Sequence, residues 1–286
     1  MRYRAASFLI RFFALCAAIA LAALFISITA GLLYCAWRAG AGALKAFGPI
    51  WNPANGLYGI LPMVAGSFIT AFMAVGLAFP LSCGILAFIW VYDNRLSHLL
   101  RDLLRFMSGI PTVVYGFFGL FLLIPFLRAL SGTSGYGVFA VSLILALLVL
   151  PVMTITADSA LSSALKGSEN PMLTASALGL RREQAFLYIV LATQKKALLM
   201  GLLLAFSRAL GDTLVALMLA GNAPVFPSGL FSSVRTLSGH ISLLTATEIT
   251  PQTEFTLFLS GFILFSAAFV ISLITAKIQR RKNESS

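Results

Sequence analysis

The chain has 286 residues, of which 59% are hydrophobic and only 10% charged, with a mean hydropathy of +0.96. A soluble domain carries about 25% charged residues, so this composition excludes a soluble globular protein and leaves no room for a separate soluble domain. The formal charge of +11 is spread along the chain rather than gathered on one face with aromatic or polar readers, which argues against nucleic-acid binding.

Six apolar stretches follow one another, at about 12–37, 64–91, 106–127, 137–157, 197–220 and 255–276. Each reaches the length of a spanning helix, so the expected fold is an all-α integral membrane protein of about six transmembrane helices. The first stretch is too long for a signal-peptide core and reads as a retained helix. Pro80 falls within the second, Gly109-Ile110-Pro111 opens the third, and Pro151 lies in the fourth. Such breakers either kink a helix that lines a cavity or serve ordinary packing.

Basic residues set the orientation. One set of connections holds Arg2, Arg4 and Arg11, then Arg95, Arg101 and Arg105, then Lys166, Arg181, Arg182, Lys195 and Lys196, and finally Lys277, Arg280, Arg281 and Lys282. The alternate set holds Arg38, Lys45, Arg128 and Arg235. This asymmetry predicts that both termini and the 158–196 loop are cytoplasmic.

In the 158–196 loop, Asn170-Pro171 resembles a helix start, Gly179 breaks the helix, and Arg181–Gln194 restarts it. Ala185, Phe186, Ile189 and Val190 give the second part an apolar face. Two short helices around a glycine suit a docking site for a partner, or a surface helix whose Arg181 and Arg182 touch lipid phosphates. The external segment 221–254 mixes apolar residues with Arg235, His240, Glu248 and Glu254. That mixture predicts a re-entrant or interfacial segment covered by protein. Cys16, Cys35 and Cys83 lie in or beside apolar runs without metal-ligand spacing, and read as packing residues.

The most informative charge is Arg208, near the middle of the fifth stretch, followed by Asp212. A charge at the bilayer centre costs about 2.5–3.5 kcal/mol or more, so it marks either function or an interhelical brace. At i+4 the acid is expected on the same helix face, paired with the arginine. No Walker A, Gly-x-Ser-x-Gly, His-Glu-x-x-His or paired-cysteine motif is present. The expectation is therefore a non-enzyme.

Several blocks resemble the permease subunits of phosphate (Pst) ATP-binding-cassette importers. These are Gly59-Ile60-Leu61-Pro62, Pro80-Leu81 with Gly84, Gly109-Ile110-Pro111-Thr112-Val113-Val114-Tyr115-Gly116, and Arg208-Ala209-Leu210-Gly211-Asp212-Thr213. Ala220-Gly221-Asn222 and Val234-Arg235-Thr236-Leu237 are similar to the PstC type more than to PstA. The resemblance runs over about residues 57–280 and implies a type I importer permease of MetI-like architecture. It sets residues 1–56, a helix and external loop, apart from a permease core over 57–286.

The resemblance implies that Arg208, Asp212 and Thr213 line the substrate pathway, and that Pro80, Gly109, Pro111 and Tyr115 act as kinks or gates. It also implies that the loop at about 166–196 couples to an ATPase through Leu173, Thr174, Ala175, Gly179, Ile189 and Leu191. Leu173-Thr174-Ala175 stands where the family has Glu-Ala-Ala, Ala192 replaces its proline, and Asp212 replaces its usual glutamate.

Implied partners are a second permease (a homologue or an identical copy), two cytoplasmic ATPases and a periplasmic or extracellular phosphate-binding protein. The chain itself is expected to bind no cofactor, with ATP-Mg held by the ATPase, and to reside in a bacterial inner membrane. Other readings are a permease for molybdate, tungstate or sulfate, an ATP-independent anion carrier or channel, and a membrane scaffold or sensor of phosphate status.

Overall fold

A computed structural model describes residues 2–40, 42–92, 94–165, 175, 177–190, 192, 195–246 and 250–283. Among these, five helices are long and apolar enough to cross a membrane, within Phe12–Arg38, Leu61–Tyr92, Thr112–Ser131, Val138–Ser162 and Pro251–Gln279. The protein is a multi-pass membrane protein, and its apolar outer surface, with Phe72, Phe121, Phe126 and Leu273 exposed, is what lipid requires.

In chain order, α1 is Arg2–Ala39, α2 is Gly42–Lys45, α3 is Leu61–Tyr92, α4 is Arg95–Gly109 and α5 is Thr112–Phe118. Then come α6 (Ile124–Ser131), α7 (Val138–Leu165), α8 (Arg182–Gln184), α9 (Lys195–Gly211), α10 (Leu214–Leu219), α11 (Leu237–Thr245) and α12 (Pro251–Asn283). A hairpin of two-residue strands, β1 (Trp51–Asn52) and β2 (Leu57–Tyr58), stands between α2 and α3.

The core is a three-helix contact of α3, α7 and α9. Val141, Ile144, Leu145, Val149, Ala205 and Val215 are buried in it. Small and hydroxylic residues set the spacing, as in other membrane bundles. An added Cβ on Gly201 of α9 would come within 2.8 Å of the Met153 carbonyl oxygen on α7. Between α7 and α3, Ser142 Oγ donates to the Thr70 carbonyl at 3.2 Å, and Thr154 Oγ1 donates to Ser82 Oγ at 2.9 Å.

Neither Pro80 nor Pro151 interrupts its helix. The break falls at Ile110, whose extended backbone separates α4 from α5. There the Tyr115 hydroxyl donates to the Met107 carbonyl at 2.9 Å and closes the corner. The third apolar stretch thus begins at Thr112 rather than near 106, because Phe106–Gly109 end the amphipathic α4. Past α5 the span continues as a π-helical turn, Gly119–Leu123, before α6. The rings of Phe117 and Phe121 stack on its outer side, 6.0 Å apart and 10° from parallel.

The fifth apolar stretch is not one helix. It divides at Asp212–Thr213 into the 17 residues of α9 and the six of α10. α1 packs mainly on α12, where Phe25 meets Phe262, Phe265 and Phe269 and Arg38 pairs with Glu254 at 2.9 Å.

Candidate translocation site

Arg208 is in the last turn of α9 and exposed, while Asp212 is 7% exposed. The expected i,i+4 ion pair between them does not form. The helix stops at Gly211, so Asp212 no longer lies one helical turn above Arg208. Its carboxylate Oδ1 instead accepts the Val215 backbone N–H at 2.9 Å, satisfying one of the free donors at the start of α10. Arg208 still lies close enough for its charge to act on the carboxylate. Thr213 occupies the break between the two helices and is partly exposed.

The segment after α10 folds back over this break. Gly221 and Val234 form a parallel bridge, and the Val234 N–H donates to the Ala220 carbonyl at 2.9 Å. Asn222 takes a left-handed φ of 59°, and its Nδ2 donates to the Leu217 carbonyl at 2.7 Å. Arg235 Nε donates to the Asn222 carbonyl at 2.9 Å. The Ser238 hydroxyl donates to the Asp212 carbonyl at 2.9 Å, and Ser67 Oγ of α3 accepts the Leu237 N–H at 2.7 Å. Of the segment 221–254, expected to be interfacial, the stretch around Val234, Leu237 and His240 is buried. The part at Val225, Phe226 and Leu230 is exposed.

This arrangement adds a second guanidinium, Arg235, a basic residue of the external segment and of the block Val234-Arg235-Thr236-Leu237 that was not among the expected pathway residues. It joins the site through Asn222 and α10, a route no spacing rule could reveal. His240 sits beside it, buried, with the Trp51 ring edge-on. Neither of its ring nitrogens has a hydrogen-bond partner among the described residues. Burial first, and the Arg235 charge second, push this imidazole from its ordinary 6.5 down to about 3, so it is neutral at physiological pH.

The remaining predicted residues lie elsewhere. Pro80 is exposed on α3, and Gly109, Pro111 and Tyr115 build the α4–α5 corner. In the loop expected to couple to an ATPase, Gly179 has a left-handed φ of 75° that favours glycine, and Ala175 is buried. Ala185 and Phe186 also turn inward, within a π-helical stretch, Ala185–Val190. Phe186 packs with Leu86 and Val91 of α3 and Ala157 and Leu161 of α7. Leu173, Thr174, Leu191 and the Ile189 side chain lie outside the described residues.

A family model for the binding-protein-dependent transport system inner membrane component matches residues 81–284. A probable ABC transporter permease protein, YqgH of Bacillus subtilis, is 29% identical over 81% of this chain and 76% of its own length. The phosphate transport system permease protein PstC of Xylella fastidiosa is 29% identical over 78% of this chain and 74% of its own. The probable PstC of Methanocaldococcus jannaschii is 27% identical over 82% and 79%. Among solved structures, a chain of the MetNI methionine ABC transporter in inward-facing conformations superimposes with a TM-score of 0.58 at 16% identity. It covers 80% of this chain and 99% of that one, a likeness of fold. With more than half its length matched by the family model, the chain belongs to the inner membrane components of binding-protein-dependent transport systems.

Proposed function

We propose that this chain is a permease subunit of an ATP-driven inorganic phosphate importer and forms part of its translocation pathway. The observation that carries this reading is a guanidinium, Arg208, set in an apolar helix beside the buried carboxylate of Asp212. Phosphate near neutral pH keeps at least one proton, whereas sulfate keeps none. Arg208 supplies the fork of donors for the oxyanion, and Asp212 accepts the hydrogen bond of the remaining proton. Similarity to PstC proteins over about three-quarters of both chains supports the same cargo.

The chain sits in a bacterial inner membrane with both termini cytoplasmic, since its basic connections share one side. It works with a second permease, two ATPases that bind ATP-Mg and an external phosphate-binding protein, and performs no hydrolysis itself. Closure of the ATPases acts on the 166–196 loop. Phe186 then carries the movement to the ends of α3 and α7, against which it is packed.

The test is ATP-driven uptake of labelled phosphate by the whole complex in proteoliposomes, with excess sulfate or molybdate as competitor. Uptake that resists both competitors and is lost in an assembled Arg208→Ala complex supports the reading. Strong competition by either anion reassigns the cargo, and normal uptake by the variant reduces Arg208 to a brace.

A further inference from the structure

A cavity of about 370 Å³ opens among the ends of α3 and α7 and one face of α4, at the end read above as cytoplasmic. Arg101, Arg105, Thr154, Asp158, Ser159 and Ser162 line it. We propose that this cavity binds a phosphoryl group.

Asp158 does not make the cavity hostile to anions, because its charge is already engaged. Arg101 donates to it through Nε at 3.2 Å and Nη2 at 3.3 Å, and Trp90 Nε1 donates at 3.0 Å. The Arg101 guanidinium also lies 5.7 Å from the centre of the Trp90 ring, so ring and carboxylate hold it in place together. Arg105 is the cation in excess. Its partner Asp102 is 3.3 Å away on the surface, both side chains are about 70% exposed, and water and salt screen such a pair strongly.

Among the described residues that line the space, two guanidiniums against one carboxylate leave a single positive charge, with the Ser162 hydroxyl beside them as a further donor. A tetrahedral phosphoryl group matches that set of donors. The opposite face of α4 exposes Leu96, Leu99, Leu103 and Phe106 at helical spacing. Such a face lies in the membrane interface, which places the cavity mouth at headgroup depth. The phosphoryl group therefore comes either from inorganic phosphate or from an anionic phospholipid.

Both sources are tested on the whole complex in maltoside detergent, carrying Ile155→Cys as a reporter in the apolar wall of the cavity. Its alkylation by neutral N-ethylmaleimide is followed by mass spectrometry of this chain. Severalfold slowing by inorganic phosphate, but not by chloride at equal ionic strength, identifies the free anion. Slowing only by short-chain phosphatidylglycerol identifies the headgroup. In either case the half-protecting concentration rises about threefold or more in Arg105→Gln, the loss expected for a contact to a largely exposed guanidinium. If neither probe slows the reaction, or Arg105→Gln is protected equally well, the proposal is overturned. Transport plays no part in this readout, so a complex that carries another oxyanion still tests the cavity.

Discussion

The indole of Trp51 stands edge-on to the imidazole of His240, with ring centroids 4.4 Å apart and planes at 88°. The contact joins the β-hairpin to α11 and helps seal a polar ring whose nitrogens have no partner among the described residues. That combination has a measurable consequence for stability.

In the unfolded chain His240 titrates at its ordinary 6.5, and in the folded one at about 3. Between those values the unfolded state binds the extra proton. Stability is therefore complete above about pH 6.5 and falls on acidification, by up to about 1.4 kcal/mol per pH unit. Replacement by phenylalanine removes the buried polar atoms and the slope together. Thermal unfolding of the detergent-solubilised complex from pH 7.5 to 5, wild type against His240→Phe, checks this; parallel slopes would refute it.

Asp212 performs two tasks that substitutions can separate. Asp212→Asn keeps an oxygen for the Val215 N–H, so α10 should persist while discrimination between phosphate and sulfate collapses. Asp212→Ala also loses the helix-start contact, worth about 1 kcal/mol. Competition assays combined with melting curves distinguish the two variants, and unchanged selectivity in Asp212→Asn would remove the carboxylate from the pathway.

Arg208→Lys retains a charge but not the planar fork. Uptake at equal expression is expected to fall at least about tenfold, the equivalent of one lost charge-assisted bond. Near wild-type uptake would mean that point charge alone suffices.

Phe186 is fully buried between the ends of α3 and α7. Truncation of a buried phenylalanine costs about 3–5 kcal/mol, and here the loss falls on the junction between loop and bundle. Phe186→Ala should leave basal ATP hydrolysis by the complex intact while uptake per ATP declines. Unchanged coupling would place the transmission elsewhere in the loop.

Gly201→Ala tests the close approach of α9 to α7. Its new methyl group meets a backbone oxygen rather than a yielding side chain, so overpacking of about 1–3 kcal/mol is expected. A lower melting temperature of the complex is the readout, and an unchanged one would show that α9 can shift freely.

Hydropathy made the spans legible because a bilayer demands about twenty apolar residues in a row. The division at Asp212 was hidden by that same continuity, since Ala197–Ala220 stays apolar on both sides of the break. A cue was present: Gly211-Asp212 reads as a helix stop followed by a residue that favours helix starts. Taking the run as one helix gave Arg208 and Asp212 a direct ion pair that they do not form.

The hairpin was beyond reach for another reason, because strands of two residues show no period. Arg235 joined the site through the Asn222 backbone, a contact between segments that no local pattern encodes. Leu96, Leu99 and Leu103, by contrast, have a plain helical spacing just before the third apolar stretch and Phe106 continues it, and α4 is the helix that carries all four.

The π-helical turn at Gly119–Leu123 takes up a residue without re-aiming the half of the span that follows it. Each residue of an α-helix turns the chain by about 100°, and a π turn fits one extra residue into its circuit. Removing a single residue there would let the turn close as ordinary α-helix, and Ile124 and Leu127, now buried, would keep facing the core. The same deletion inside α6 would instead turn every later residue of that helix by about 100°.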